Sequence, residues 1–512
     1  MSAIEQRALK NTGVGMVSFL ISVFQTIILV PLLLKYWGNV SYGLWLSLMA
    51  GFNLLQTLDL GHQNYVGHKL NMQYHTDIPG FRQTLGSSLL IAYILGFFEV
   101  GCCVALILTK HLDSLLGISS QLVPYSHISL GLLSMMIMWL LFGSVGGIIA
   151  RIMIPAGMLY ESQWLGVGVR FAQFCSVVVV ALTGGGVFAS CLWYAVVQSI
   201  VSVGVLWYIK VKLPNLYPWW DSARWGDGIR NLKNSLILTL NSIGQQLAGS
   251  GLVLLISTLF TAVVLPSFTT IRTITNTASS ITSLFISAVF PDMIRFHSTG
   301  QYRKLSEIFN VNWFVSGICV NIGLLLILPF VASIYAIWTK RILEFDSALF
   351  LLLAVSVSYA NFGGALNLYF QGINDLYAQT TVTLARIAVL FLVTSLFSSQ
   401  FGILSVGLGC LVSEVVASVL LPLLFVKRRF RGEGVVLDIV PLTYAILPPA
   451  ILTCVAAIMM FRPVNATYIS LWLLPVFALI YLLAWRRLDP EIRLKINSMV
   501  YALSSKFPLM RL

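Results

Sequence analysis

Charge is what this sequence has least of. Of its 512 residues, 10% are Asp, Glu, Lys or Arg, where a water-soluble domain carries roughly 25%. That shortage, with 58% hydrophobic residues and a mean hydropathy of +0.88, excludes a soluble globular chain. Acids are the scarcer sign, 18 against 31 Lys and Arg. No Gly-rich phosphate-binding loop is present, so ATP is not the evident driver of any activity. The period-two alternation of a membrane β-barrel strand is also missing. The seven cysteines (Cys102, Cys103, Cys175, Cys191, Cys319, Cys410 and Cys454) all lie in apolar runs. They read as small hydrophobes rather than as a disulfide framework or metal site. His62, His68 and His75 are too loosely spaced for a metal site, and no cofactor is expected.

What is present is long apolar runs. A bilayer span takes about 20 such residues, which gives about 14 candidate helices, from 12–34 and 40–61 at the start to 441–461 and 465–485 at the end. The first run is too long for a signal-peptide core and is expected to stay as an anchor. On an even-numbered topology, 23 of the 31 Lys and Arg fall in inner segments and five, Lys35, Lys110, Lys340, Arg341 and Arg462, in outer loops. Arg170, Arg272 and Arg386 fall inside spans. The positive-inside rule then places both termini in the cytoplasm. The net charge of +13 is therefore topology, not a nucleic-acid footprint. The outer loops are short, the largest being 110–127, which leaves no room for an external catalytic domain.

Two inner segments have the pattern of helices lying on the inner leaflet. Residues 217–234 mix Trp219, Trp220 and Trp225 with Arg224, Arg230 and Lys233. In 489–507, Asp489 suits an N-cap and Ile492, Ile496, Met499, Leu503 and Phe507 form one stripe. The chain also repeats itself: Leu9-Lys10-Asn11 enters the first run and Leu232-Lys233-Asn234 the seventh, aligning Ser18 with Asn241 and Ser22 with Gln245. Parallel repeats of this kind are typical of secondary transporters. The expected organisation is an N-terminal lobe at 1–209, an inner interfacial linker at 210–234, a C-terminal lobe at 235–430, and two more helices with an amphipathic tail at 431–512.

One stretch carries a family signal. Asn11 and Pro31, then Gly38, Tyr42-Gly43-Leu44-Trp45, Leu58-Asp59-Leu60-Gly61 and Lys69, closely resemble the polysaccharide-exporter branch of the multidrug/oligosaccharidyl-lipid/polysaccharide (MOP) flippase superfamily, whose best-known members are Wzx-type O-antigen flippases. Phe290-Pro291, followed by Gly300 and Leu305, is similar to that family's junction between helices 8 and 9. The resemblance implies an all-α, MATE-like fold of two six-helix lobes around a cavity plus two C-terminal helices. It implies a non-enzymatic flippase in a bacterial inner membrane. The cargo would be an oligosaccharide on undecaprenyl diphosphate, and a glycan polymerase and chain-length regulator would be partners.

Such a cargo needs cationic and donor groups within the membrane. Arg272, in Thr269-Thr270-Ile271-Arg272-Thr273, is the first candidate for the diphosphate, and Glu99 is a candidate ion-pair partner for it. Lys35 reads either as a substrate contact or as a side chain snorkelling beside Tyr36 and Trp37. Ser22 and Gln25, with Ser18, and Asn241 and Gln245 form polar faces that suit either sugar hydroxyls or helix–helix hydrogen bonds. Asn361, Asn367 and Gln371 admit the same two readings. Arg386 and Glu414 are either a structural pair or cavity groups. Asp59, placed at the inner end of the second span, reads as a helix-end contact, a gate or a protonatable coupling site, and Glu99 and Glu414 are further coupling candidates. Two rivals remain: a MATE-type cation-coupled drug exporter, which needs buried acids to exchange cations, and a membrane glycan polymerase or ligase, which needs larger outer loops.

Overall fold

The computed structural model describes residues 3–117, 124–432, 439–462, 466–488, 490 and 493. All regular structure among them is helical. The chain begins with α1 (Ala3–Leu55), α2 (Thr57–Gln73), α3 (Ile78–Leu108), α4 (His111–Leu116), α5 (Tyr125–Met138), α6 (Ser144–Ala150), α7 (Leu159–Leu182), α8 (Val187–Lys212), α9 (Trp225–Gln246) and α10 (Leu252–Phe260). It continues through α11 (Leu265–Ser298), α12 (Tyr302–Gly317), α13 (Gly323–Trp338), α14 (Ser347–Gly372), α15 (Leu376–Phe401), α16 (Leu404–Glu414), α17 (Leu421–Gly432), α18 (Ile439–Phe461) and α19 (Ala466–Arg487).

Twelve of these helices or helix runs are long and apolar enough to cross a membrane. The first of them, Leu20–Leu55, is 36 residues long and holds two of the expected spans, because α1 breaks at Gly38 (φ 73°, ψ 179°). A positive φ of that size is open to glycine and strained for other residues, so Gly38 makes the turn between them. α11, 34 residues long, is a further long helix outside these twelve. With that helix the described residues carry the expected fourteen.

The chain forms two compact units. One runs to Phe268 and takes back Ile337–Leu343; the other comprises Thr269–Ala336 and the chain from Glu344 onward. The first unit contains α9 and α10. Small residues set how closely these pack. A Cβ on Gly61 would lie 2.2 Å from the Thr239 Cα, and one on Gly43 would lie 2.0 Å from the Ala262 carbonyl oxygen. Polar bonds follow the same seam. Lys69 donates to the Asn231 side chain at 2.8 Å, and His62 Nδ1 stands 3.3 Å from the Ser235 hydroxyl. Further along the unit, the Trp37 indole donates to the Gly185 carbonyl at 2.8 Å. At the other end an apolar cluster with Phe81, Leu85, Ile148, Ile152, Met153 and Trp219 closes the core.

Two sequence readings change here. Residues 217–234 are not one helix along a leaflet: 217–224 is irregular, and α9 starts at Trp225 and runs on as part of a span. Trp219 is buried rather than facing lipid, and the segment is fastened by the Arg224 backbone N–H donating to the Ser87 hydroxyl at 2.8 Å. Asp59 does not close a helix either. It lies in the first turn of α2, which continues to Gln73. The amphipathic stripe read in 489–507 falls almost wholly outside the described residues.

The second unit is built on α14, 89% of whose most apolar 18-residue stretch is buried. A helix buried all round must be apolar all round, as Leu349 to Val355 shows. Its few polar groups bond to neighbours. Ser358 donates to Asn321 at 2.6 Å, and Asn321 donates to the Tyr481 hydroxyl of α19 at 2.9 Å. Trp313 stacks on Phe362 (5.0 Å between centroids) and donates to its carbonyl at 3.0 Å. Four spans contain a π-helical turn, at Trp139–Gly143, Leu247–Gly251, Ile318–Ile322 and Val415–Leu420. Such turns frequently accompany functional sites.

Candidate functional site

In the first unit, α1 presents the polar face expected from Ser18, Ser22 and Gln25, and α7 supplies a cation to it. Arg170 stands near the midpoint of the 24-residue span Leu159–Leu182. Its guanidinium donates to the Ser18 hydroxyl at 2.6 Å, and Gln25 donates to the Arg170 carbonyl at 3.5 Å. Ser22 turns its own hydroxyl back to the Ser18 carbonyl at 2.9 Å. The Arg170 side chain is exposed within the chain. A charge so far from either end of a span is costly unless polar or ionic partners meet it.

Lys35 is exposed, with its ammonium 5.1 Å from the Tyr36 ring centre, an arrangement that suits a headgroup anchor. Asn241 is half-buried and Gln245 exposed, both on α9. Asp59 and Glu99 have no exposed surface. Glu99 Oε1 accepts the Asp59 backbone N–H at 3.1 Å, which ties α3 to α2. Gln63, one turn along α2, donates to Asp59 Oδ2 at 3.1 Å. Arg151 reaches Asn64 at 2.8 Å. Burial of His62 lowers its imidazole pKa to about 4, because charging a desolvated ring is unfavourable. The described residues contain no cluster of His, Cys, Asp or Glu fit for a metal.

In the second unit, Arg272 is half-buried on α11, close enough to Cys410 of α16 to interact electrostatically. Arg386 of α15 forms a salt bridge with Glu414 of α16: Nη2 donates to Oε2 at 3.1 Å, and Nε stands 2.8 Å from Oε1 without the geometry of a hydrogen bond. Ser418, in the π-helical turn, donates to the same carboxylate at 2.5 Å. This is the paired arrangement, a salt bridge with one charge-assisted hydrogen bond. Asn361 is buried and accepts from Thr282, and Gln371 is exposed while Asn367 is half-buried.

Arg170, Gln63, Arg151 and Ser418 had no assigned role in the sequence reading. The signals were there: an Arg inside the fifth span, and a Gln four residues after Asp59, the spacing at which side chains on one helix face meet.

The sequence matches no protein-family model, and no curated protein is detectably similar to it. Solved structures are. The lipid II flippase MurJ in an inward closed conformation superposes with a TM-score of 0.61 at 13% identity, over 96% of this chain and 98% of that one. The MATE multidrug transporter DinF-BH gives 0.60 at 14% identity, over 83% and 96%. An inward-facing multidrug resistance MATE family transporter of the MOP superfamily gives 0.57 at 15% identity, over 85% and 96%. The fold is therefore the MATE and MurJ fold, that of multi-pass membrane transporters and flippases.

Proposed function

We propose that the chain is a flippase that carries a polyprenyl-diphosphate-linked oligosaccharide, such as an O-antigen repeat unit, from the inner to the outer leaflet of a bacterial inner membrane by alternating access. The observation that carries this reading is Arg170, an exposed cation midway through a span, held on the polar face of α1 by Ser18. An anionic cargo offsets the cost of keeping such a group at that depth. Arg272 is the corresponding candidate in the second unit. The hydroxyls and amides of Ser22, Gln25, Asn241 and Gln245 suit sugar recognition. The motif at residues 31–69 supports the oligosaccharide class, and the likeness to a lipid II flippase supports a lipid-linked cargo.

The inside-negative potential favours export of an anion. One charge is worth about 2.3 kcal/mol per 100 mV, so a diphosphate of charge about −2 gains roughly 4.6 kcal/mol per 100 mV. The drug-exporter reading shares the same fold. Against it, Glu414 is neutralised by Arg386, Asp59 and Glu99 have no exposed surface, and neither α1 beyond Leu20 nor α9 beyond Asp227 carries an acid, which leaves little to attract a cationic drug. Restoration of surface glycan in a flippase-null strain tests the proposal. No restoration by a chain present at normal abundance in the membrane contradicts it.

A further inference from the structure

Among the described residues, Asp59 and Glu99 are the acids with no exposed surface, and they meet. The Asp59 backbone N–H donates to Glu99 Oε1 at 3.1 Å, and Gln63 donates to Asp59 Oδ2 at 3.1 Å. The two remaining carboxyl oxygens, Asp59 Oδ1 and Glu99 Oε2, are buried without a hydrogen-bond partner in the chain. Trp139, the first residue of a π-helical turn, lies against Glu99.

The charged and titratable groups around the pair come from every element packed on it. α2 contributes Asp59 itself and His62, which is turned toward Ser235 of α9. α3 contributes Glu99 and, one turn on, the buried Cys103. Arg151 follows α6 and packs along α2 beside Gly67, where it bonds Asn64. The neighbouring residues of α6 and α9, Ser144, Ser235 and Thr239, are uncharged. Two acids therefore face one cation. A buried charge without compensation costs several kcal/mol; the unpartnered Trp139 indole N–H stands beside Glu99, while Asp59 Oδ1 lacks a donor. A single bound proton answers both: it brings the group of three to neutrality and supplies the missing donor. A metal cation fits less well, since hard cations take about six oxygen ligands and the pair offers two free ones.

We propose that Asp59 and Glu99 form a proton-binding site in the first unit, exchanging with the inner side along the polar edge of α2 marked by Gln63, Asn64 and Arg151. The step is plain acid–base exchange: one carboxylate oxygen gains an O–H bond as a proton leaves water, and loses it on return. No oxidant or group donor is involved. That this proton drives cargo movement rests on the flippase reading; that it binds does not.

The test is infrared difference spectroscopy of the full-length protein in lipid vesicles, stepped between acidic and alkaline buffer in H2O and D2O. The site predicts a deuterium-sensitive carboxyl C=O band that is lost in Asp59→Asn and in Glu99→Gln but kept in Glu307→Gln. The same band in the wild type and both amide variants overturns the site. So does a band abolished by sodium chloride but not choline chloride at fixed pH, which assigns the pair to a metal cation. Should the amide variants fail to assemble, Glu99→Asp decides: a shifted band supports the site and an unshifted one overturns it. Absence of glycan translocation leaves the predicted spectrum intact and counts against the flippase reading alone.

Discussion

Arg386 and Glu414, 28 residues apart, form a salt bridge through one hydrogen bond, Nη2 to Oε2, with Ser418 as a second donor to the carboxylate. This fixes α15 against α16 and its π-helical turn. Removing one partner leaves a charge without its counter-ion in a largely apolar setting. Arg386→Ala and Glu414→Ala are each expected to lower stability by about 2 kcal/mol. The double variant Arg386→Met with Glu414→Leu is expected to regain most of that. Thermal unfolding in detergent, compared across the single and double variants, measures the coupling.

The close seam between α2 and α9 rests on a missing side chain. At Gly61 a methyl group would enter the Thr239 backbone. Gly61→Ala should therefore cost about 1–3 kcal/mol by overpacking, and Gly61→Val more. Gly166→Ala and Gly168→Ala, on α7 where nothing lies within 4 Å of the added carbon, should be neutral or slightly stabilising. Membrane abundance and melting temperature of the four variants give the comparison.

His62 sets a pH dependence with a definite sign. Its pKa is lowered from 6.5 to about 4 by burial, so between those values the unfolded chain binds the proton and the folded chain does not. Stability from this residue is full above pH 6.5 and falls as pH drops toward 4, at up to about 1.4 kcal/mol per pH unit. His62→Gln should flatten that part of the profile. An unchanged slope between wild type and variant across this window would remove His62 as its source.

Arg170 and Arg272 should behave differently from Lys35. Arg170→Ala and Arg272→Ala are expected to reduce glycan export at least tenfold at normal abundance, about 1.4 kcal/mol or more of lost cargo interaction. Lys35→Ala, which removes a group placed beside Tyr36, should change export less than twofold. Surface glycan quantified in a flippase-null strain carrying each variant reads all three.

The helical fold was legible because most spans are long apolar runs; the outer turn, read from sequence at Tyr42-Gly43, lies a few residues earlier at Gly38, in the gap between the first two runs. The extent of α2 was not, since 57–73 is nearly as polar as it is apolar and a hydropathy reading ends the helix where the runs end. That error put Asp59 at a helix end and hid its approach to Glu99, which depends on how α2 and α3 pass each other. The Arg386–Glu414 pair was visible as two opposite charges in consecutive spans. The place of α9 in the first unit was harder to read, because the internal repeat points to a break before it while the glycine contacts lie with α2. Arg170 was seen as an intramembrane charge, but its partner, Ser18, is 152 residues away and only the packing of α7 on α1 joins them.

The most direct measurement is translocation by purified protein in vesicles bearing an inside-negative potential, using a labelled polyprenyl-diphosphate oligosaccharide and a cationic dye as alternative cargoes. The flippase reading predicts movement of the lipid-linked glycan, reduced at least tenfold by Arg170→Ala and restored in part by Arg170→Lys. Transport of the dye with no movement of the glycan contradicts it.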